Sequence, residues 1–123
     1  MLVIDDDPVI RELLAAILVD AGHVVRGAAD GREGLDLFRA APAEVVITDL
    51  LMPEVDGVAV IRELTEAHPD IRVIALSGGG RVLSADTSLH VAERLGAFRM
   101  LKKPFGTDEV LRAVADALGD AAS

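Results

Sequence analysis

Short apolar runs alternate with stretches of helical periodicity along the whole chain. Five runs have the length of a strand: residues 2–5, 23–26, 44–49, 71–77 and 98–102. Each is followed by a segment in which apolar residues recur every three or four positions, which is the spacing of one buried helical face. Strands and helices that alternate at this pitch predict βαβ units and a parallel sheet. Because parallel crossovers are right-handed, we expect helices on both faces of the sheet.

Capping and stop residues mark the ends of the predicted helices. Asp7 is suited to cap a first helix over residues 8–21, since Pro8 follows it and Gly22 ends the pattern. Residues 30–33 resemble a capping box that opens a second helix. A third helix is predicted over 57–67, a fourth from about residue 85 to Gly96, and a last one capped by Thr107. The apolar positions predicted to face inward are Ile10, Leu13, Leu14, Ile17, Leu18, Ala21, Leu35, Phe38, Val58, Ile61, Leu64, Leu89, Ala92, Leu95, Val110, Leu111, Val114 and Leu118.

Composition indicates one globular domain. The chain has 123 residues, of which 51% are hydrophobic, and no cysteine. We expect a domain over residues 1–118 and a short tail over 119–123, with no output domain. The net charge of −9 disfavours nonspecific binding of nucleic acid and docking on anionic lipid. No apolar run is long enough to span a membrane and no export signal is visible, so a cytoplasmic location is expected.

Four predicted strands end in side chains that suit phosphoryl and metal chemistry. Asp5 and Asp6 close the first strand, Asp49 ends the third, Ser77 ends the fourth, and Lys103 follows the fifth. The carboxyl ends of parallel strands lie along one edge of the sheet, where α/β proteins place their ligands. We therefore expect these five side chains to converge.

Three carboxylates at one edge repel each other. Two unit charges about 4 Å apart repel by roughly 4 kcal/mol at an effective dielectric near 20. Either one carboxylate binds a proton or the site binds a cation. Oxygen ligands with no His or Cys nearby favour Mg²⁺. One carboxylate could then act as a nucleophile toward a phosphoryl group, while Lys103 offsets charge and the Ser77 hydroxyl donates a hydrogen bond.

The stretches that hold these residues resemble the response-regulator receiver domain, the phospho-acceptor half of two-component signalling. They are residues 3–8, 47–53 with 56–57, 77–78 and 103–105, and the likeness covers essentially the whole chain. The resemblance implies a doubly wound (βα)5 flavodoxin-like fold with a five-stranded parallel sheet in the order 2-1-3-4-5.

The resemblance also implies a role for each acid. Asp49 would be the phospho-acceptor and a ligand of Mg²⁺. Asp6 would be a further ligand, Asp5 would support the ion, and Leu51 would contribute its backbone carbonyl.

Around the phosphoryl group, the resemblance implies that Ser77 and Lys103 contact its oxygens. It further implies a cis peptide bond between Lys103 and Pro104. Lys102 is the alternative lysine. Lys103 is preferred because it stands directly before proline, as the lysine of the family does.

By the same resemblance the chain is a phosphorylation-dependent switch and not an enzyme, since it assists only its own phosphorylation and dephosphorylation. A histidine kinase or phosphotransfer protein would supply the phosphoryl group. An unknown downstream protein would then contact the surface of the fourth helix, fifth strand and fifth helix. We expect no direct contact with nucleic acid or membrane, and a monomer or weak dimer.

Three departures from the family pattern stand out. Met100 occupies the place of an aromatic switch residue, three before the lysine. The segment between Ser77 and Lys103 is longer than usual, with the extra length expected over residues 78–86. Leu51 and Gly79 stand where polar side chains can help to position the hydrolytic water, so slow self-dephosphorylation is predicted.

Two other functions fit part of the pattern. In a haloacid-dehalogenase-type phosphatase, Asp5 and Asp7 would form the D-x-D nucleophile motif, but no acidic pair follows the lysine at a strand tip and Asp49 has no role. A degenerate receiver used only for docking is the second alternative. The full set of acids, hydroxyl and lysine argues against it, whereas Met100 argues for it.

Overall fold

The computed structural model describes residues 1–50, 57–77 and 96–122, which form five strands and four helices. The strands are β1 (Leu2–Ile4), β2 (Arg26–Ala28), β3 (Val45–Asp49), β4 (Arg72–Ser77) and β5 (Arg99–Lys102). The helices are α1 (Pro8–Asp20), α2 (Gly31–Ala40), α3 (Gly57–Ala67) and a C-terminal helix (Thr107–Ala122). None of these helices combines the length and apolarity needed to cross a membrane.

One parallel sheet contains all of the described strands, in the order β2-β1-β3-β4-β5. This confirms the predicted doubly wound, flavodoxin-like arrangement. The strand order reverses between β1 and the central strand β3. In folds of this kind the crevice at the reversal is where ligands bind.

The sheet carries a separate apolar layer on each face, because successive side chains of a strand point in opposite directions. One layer packs under α1 and the C-terminal helix and consists of Val3, Leu14, Leu18, Val45, Ile47, Ile74, Leu76, Leu101, Val110, Ala113, Val114 and Ala117. The other packs under α2 and α3 and consists of Leu2, Ile4, Ala28, Leu35, Phe38, Val46, Leu50, Val60, Ile61, Leu64, Ile71, Val73 and Ala75. The two layers confirm helices on both faces.

The second strand lies later in the chain than predicted. The apolar run 23–26 suggested a strand, but pairing with β1 covers only Arg26–Ala28. The N–H of His23 donates to the carbonyl of Leu18 and so completes the end of α1. Val24 is 83% exposed, because it lies in the connection between helix and strand. Apolar composition alone therefore misplaced this strand.

The buried face of α1 is narrower than the apolar pattern indicated. Leu14 and Leu18, one turn apart, are fully buried. Leu13 was predicted to face inward but is 44% exposed, since its position is rotated by about 100° from that of Leu14. The prediction for Leu13 is therefore wrong.

Two predicted helix caps are confirmed by hydrogen bonds. Asp7 Oδ1 accepts from the N–H of Val9 at 2.9 Å, and Asp30 Oδ1 accepts from the N–H of Glu33 at 2.8 Å. Both acids have extended backbone conformations, as N-cap residues do. The acids therefore fix where α1 and α2 begin.

The last helix begins differently from the prediction. Thr107 was expected to be its cap, but Thr107 is already helical and Gly106 precedes it. The carbonyl of Gly106 accepts from the N–H of Val110 at 3.2 Å, and its N–H donates to Glu109 Oε1 at 3.1 Å. The cap is thus one residue earlier. At its other end the helix continues through residues 119–122, which the sequence pattern assigned to a tail.

The third helix has the predicted bounds, Gly57–Ala67, and the third, fourth and fifth strands each begin one residue later than predicted. The predicted fourth helix and the predicted long loop over 78–86 lie outside the described residues.

Candidate functional site

Asp5 follows β1 directly and is completely buried. Its N–H donates to the carbonyl of Ala28 at 3.1 Å, which continues the pairing of β1 with β2. Its Oδ1 accepts from the N–H of Asp7 at 2.9 Å, inside the loop that leads to α1. One carboxylate oxygen of Asp5 is therefore held by the local backbone.

The second carboxylate oxygen of Asp5 points toward the carboxyl edge of the sheet. Oδ2 is buried and has no hydrogen-bond partner among the described residues. Lys103 Nζ lies 3.1 Å from it, at ion-pair distance. Because an uncompensated buried carboxylate is costly, this oxygen is suited to a cationic partner.

Lys103 reaches a second carboxylate. Its Nζ lies 3.4 Å from Oδ2 of Asp49, the last residue of β3, whose side chain is also buried. Only 13% of the Lys103 side chain is exposed, so this ammonium interacts with both acids in a shielded environment. The peptide bond between Lys103 and Pro104 is cis, and Lys102 is exposed on β5.

Ser77 ends β4 beside this lysine and is buried. The N–H of Lys103 donates to the carbonyl of Ser77 at 2.7 Å, which ties the ends of β4 and β5 together. The structure thus brings a hydroxyl-bearing residue to the same edge as the ammonium. Leu51, whose carbonyl was expected at the site, lies outside the described residues.

The three acids predicted from the sequence meet at this edge. Each of Asp5, Asp6 and Asp49 offers a carboxylate oxygen, and these oxygens all lie within 4.8 Å of one another. Asp6 is partly exposed and the other two are buried, so the cluster opens toward solvent on one side. Lys103 offsets only part of the negative charge.

These residues fit a hard divalent cation. Among the described residues, the buried Asp5 Oδ2 has no hydrogen bond, carboxylates are in surplus and the cluster contains no His, all of which are features of an oxygen-ligand site. Mg²⁺ is bound in proteins by one or two carboxylates and keeps several waters, which suits a cluster open on one side.

One contact of this site was not predicted from the sequence. Arg11 lies one turn into α1, and its Nη1 donates to the backbone carbonyl of Asp5 at 2.8 Å. A cation near the N-terminus of a helix is disfavoured by the helix dipole. An arginine there, just after an acidic loop, was therefore the signal that could have identified it.

Met100 lies on β5, opposite Ala75, and packs partly buried against the layer under α2 and α3. Phe98 and Phe105 pack on the other layer of the sheet. Neither phenylalanine therefore shares the face of Met100.

Residues 1–115 match the family described as the response regulator receiver domain. The chain therefore belongs to this family, whose members are signalling phospho-acceptors that bind Mg²⁺ at an acidic pocket.

Curated relatives share this domain as part of longer proteins. The transcriptional regulatory protein GlrR of Escherichia coli (strain K12) is 34% identical over 122 residues, which are 99% of this chain and 27% of that protein. Response regulator MprA of Mycolicibacterium vanbaalenii is 36% identical over 111 residues, or 90% of this chain and 46% of that protein. The chain thus spans less than half the length of these two relatives.

Among solved structures, the receiver domain of NtrX from Brucella abortus superposes with a TM-score of 0.87 at 32% identity. That alignment covers 96% of this chain and 97% of the NtrX receiver chain. The likeness therefore extends over both domains almost completely.

Proposed function

We propose that this chain is a phosphorylation-dependent signalling switch in which Asp49 accepts a phosphoryl group from a histidine kinase or phosphotransfer protein. The observation that carries the proposal is the bridging position of Lys103, whose Nζ lies 3.1 Å from Asp5 and 3.4 Å from Asp49. A cation in this position can stabilise negative charge that arrives on Asp49.

In the proposed transfer, a carboxylate oxygen of Asp49 attacks the phosphorus of a phosphohistidine on the partner. The new O–P bond forms as the P–N bond breaks, and the imidazole leaves with the electron pair of that bond. Lys103 then pairs with the phosphoryl oxygens, and the Ser77 hydroxyl donates a hydrogen bond to one of them. The backbone hydrogen bond from the N–H of Lys103 to the carbonyl of Ser77 keeps both side-chain donors at one edge of the sheet.

Asp5, Asp6 and Asp49 are the side chains proposed to hold Mg²⁺, together with the backbone carbonyl of Leu51. When bound, the ion neutralises charge on the phosphoryl oxygens. Asp5 is prepared for this role because the N–H of Asp7 fixes one of its oxygens while the other remains directed at the site.

Phosphorylation adds negative charge and acceptor oxygens at the edge of the sheet, which can reorder the segment after Ser77. We propose that a downstream protein reads this change at the surface of the predicted fourth helix, β5 and the C-terminal helix. The net charge of −9 favours contact with protein over direct contact with nucleic acid or anionic membrane. A cytoplasmic monomer or weak dimer suits such a partner.

The phosphatase alternative finds little support in the geometry of Asp7. Its Oδ1 accepts from the N–H of Val9 as the cap of α1, and its side chain is exposed. Asp5, by contrast, is buried beside Lys103. The two acids of the D-x-D motif therefore do not face one substrate.

The test is intact mass spectrometry after incubation with Mg²⁺ and acetyl phosphate. We expect the parent protein to gain one phosphoryl group and Asp49→Asn to gain none. Asp20→Asn, an equal charge change at the exposed end of α1, should behave as the parent does. A chelator should abolish uptake by the parent.

Equal uptake by the parent and Asp49→Asn would remove Asp49 as the acceptor. No uptake by a folded parent that binds Mg²⁺ would favour the docking alternative. Turnover of a phosphomonoester would favour the phosphatase.

A further inference from the structure

The loop that carries Asp5 and Asp6 is held by a side chain from the next element. Arg11 Nη1 donates to the carbonyl of Asp5 at 2.8 Å, across six positions of sequence. The long side chain of Arg11 is only partly exposed. Its guanidinium therefore links the first turns of α1 to the backbone at the end of β1.

The aliphatic part of this side chain passes close to a glycine in the edge strand. A Cβ at Gly27 of β2 would lie 3.2 Å from Arg11 Cδ and 3.4 Å from Arg11 Cγ. The described glycines with positive φ are Gly22 and Gly96, so Gly27 is not required by its backbone conformation. The absence of a side chain at Gly27 instead leaves room beside β2 for the Arg11 side chain.

With this contact, Asp5 is restrained through three of its polar groups. Its N–H bonds to Ala28, its Oδ1 to the N–H of Asp7, and its carbonyl to Arg11. Within the described part of the chain, Oδ2 is the group left without a hydrogen bond, and it lies 3.1 Å from Lys103 Nζ. The restraints leave the oxygen that faces the site available and fix the others.

We propose that Arg11 is a positioning residue for the cation site, and that Gly27 is the position that lets it act. Arg11 does not touch the ion or the phosphoryl group. It sets the loop that presents Asp5 and Asp6, so that the two carboxylates need not be ordered when a cation binds. The inference rests on the proposed Mg²⁺ site.

The positive charge of Arg11 and its hydrogen bond to Asp5 have opposite effects on the affinity for a cation. Removal of its positive charge favours cation binding, because like charges repel, whereas loss of its hydrogen bond disorders the loop. Arg11→Ala changes both at once. Gly27→Val keeps the guanidinium and the net charge but places methyl groups in its path, so this variant isolates position.

The experiment compares the Mg²⁺ dissociation constants of the parent, Gly27→Val, Arg11→Ala and the double variant by NMR titration. We expect Gly27→Val to raise the dissociation constant about tenfold, the lower end of the effects seen when partners of metal ligands are removed. In the Arg11→Ala background, Gly27→Val should change it no further. Arg62→Ala removes an exposed arginine of α3 and is the control for charge.

A second readout needs no metal. In Mg²⁺-free protein, Gly27→Val should accelerate hydrogen exchange of the Asp7 amide, which bonds to Asp5 Oδ1, while amides of β3 keep the parental rate. Urea unfolding should show little change in global stability, which separates a local restraint from a general loss of structure.

Parental Mg²⁺ affinity and parental Asp7 exchange in Gly27→Val would overturn the inference, as would equal effects of Gly27→Val with and without Arg11. If the parent itself binds no Mg²⁺, the proposed metal site fails. The exchange of the Asp7 amide then still decides whether Arg11 restrains the loop.

Discussion

Ile4 and Asp5 are neighbours in the chain and both are fully buried, yet their surroundings differ completely. Ile4 belongs to the apolar layer under α2 and α3, where burial of such a side chain contributes about 1.5–3 kcal/mol. Asp5 belongs to the carboxyl edge, where three carboxylates lie within 4.8 Å. Removing a charge from water costs several kcal/mol before its partner offsets any of it.

The two regions therefore divide the tasks of the molecule. The apolar layers stabilise the fold, and this stability offsets the unfavourable energy of holding like charges together at the carboxyl edge. Local violations of folding rules of this kind are expected where a chain performs its function. Substitutions in the layers should change stability, whereas substitutions and ligands at the edge should change binding first.

The largest effect should come from a cavity in a layer. Ile74 is fully buried in β4, and Ile74→Ala should lower the free energy of unfolding by about 3 kcal/mol, through lost burial and the cavity left behind. Urea denaturation measures this loss. Val24→Ala, at an exposed position, should stay within about 0.5 kcal/mol of the parent. Equal losses in both variants would contradict the division.

Mg²⁺ should stabilise the edge without any change in the layers. At ten times its dissociation constant, the ion should raise the free energy of unfolding of the parent by about 1.4 kcal/mol, because it binds only the folded chain. Asp49→Asn removes a proposed ligand and should show almost none of this gain at the same concentration. Urea titrations at several Mg²⁺ concentrations give the comparison, and an equal gain in both proteins would place the ion elsewhere.

Gly34 packs against Ile4, which directly precedes Asp5 in the chain. A substitution at Gly34 therefore tests packing where the apolar layer meets the carboxyl edge. A Cβ at Gly34 of α2 would lie 2.7 Å from Ile4 Cγ1, and Ile4 is too enclosed to move freely. We expect Gly34→Ala to lower stability by about 1 kcal/mol, since overpacking exceeds the gain in helix propensity. Thermal unfolding measures the change.

Gly119→Ala is the matched control for that substitution. Gly119 lies in the C-terminal helix, where an added Cβ would meet no described atom within 4 Å beyond its own stretch of helix. The alanine should therefore stabilise the protein by about 0.5 kcal/mol, because it loses less backbone entropy on folding. The two variants should thus shift the melting temperature in opposite directions, and shifts of the same sign would contradict the packing argument.

The smallest effect should come from an exposed ion pair, which belongs to neither region. Arg99 Nη2 and Asp116 Oδ2 are 2.7 Å apart, and both side chains are nearly half exposed. Asp116→Asn should cost about 0.5 kcal/mol, and less in high salt, because solvent and ions screen such pairs. Urea denaturation at low and high salt tests both statements, and a loss above that of Ile74→Ala would contradict them.

Local chemistry predicted much of this fold. The caps at Asp7 and Asp30 and the bounds of α3 follow from residues close together in sequence. The parallel sheet follows from the alternation of elements, and convergence of the acids and Lys103 follows from the sheet. These features need only short-range patterns and the handedness of crossovers.

The failures arise where distant residues decide the outcome. The position of β2 depends on its pairing with β1, which the apolar run 23–26 does not encode. The exposure of Leu13 depends on the rotation of α1 against the sheet. Gly27 is an ordinary residue in sequence, and its proximity to Arg11 exists only once β2 lies beside α1.

The short outer strands have a consequence for colloidal behaviour. An unpaired strand edge is a template for sheet extension by another molecule, and long apolar edges promote aggregation. Here one outer strand is only Arg26–Ala28, and the guanidinium of Arg26 donates to the carbonyls of Leu37 and Ala41. The other outer strand carries exposed cations at Arg99 and Lys102. Both edge strands of the sheet are thus short and carry charged residues. Concentrated solutions of the protein should therefore resist fibril formation.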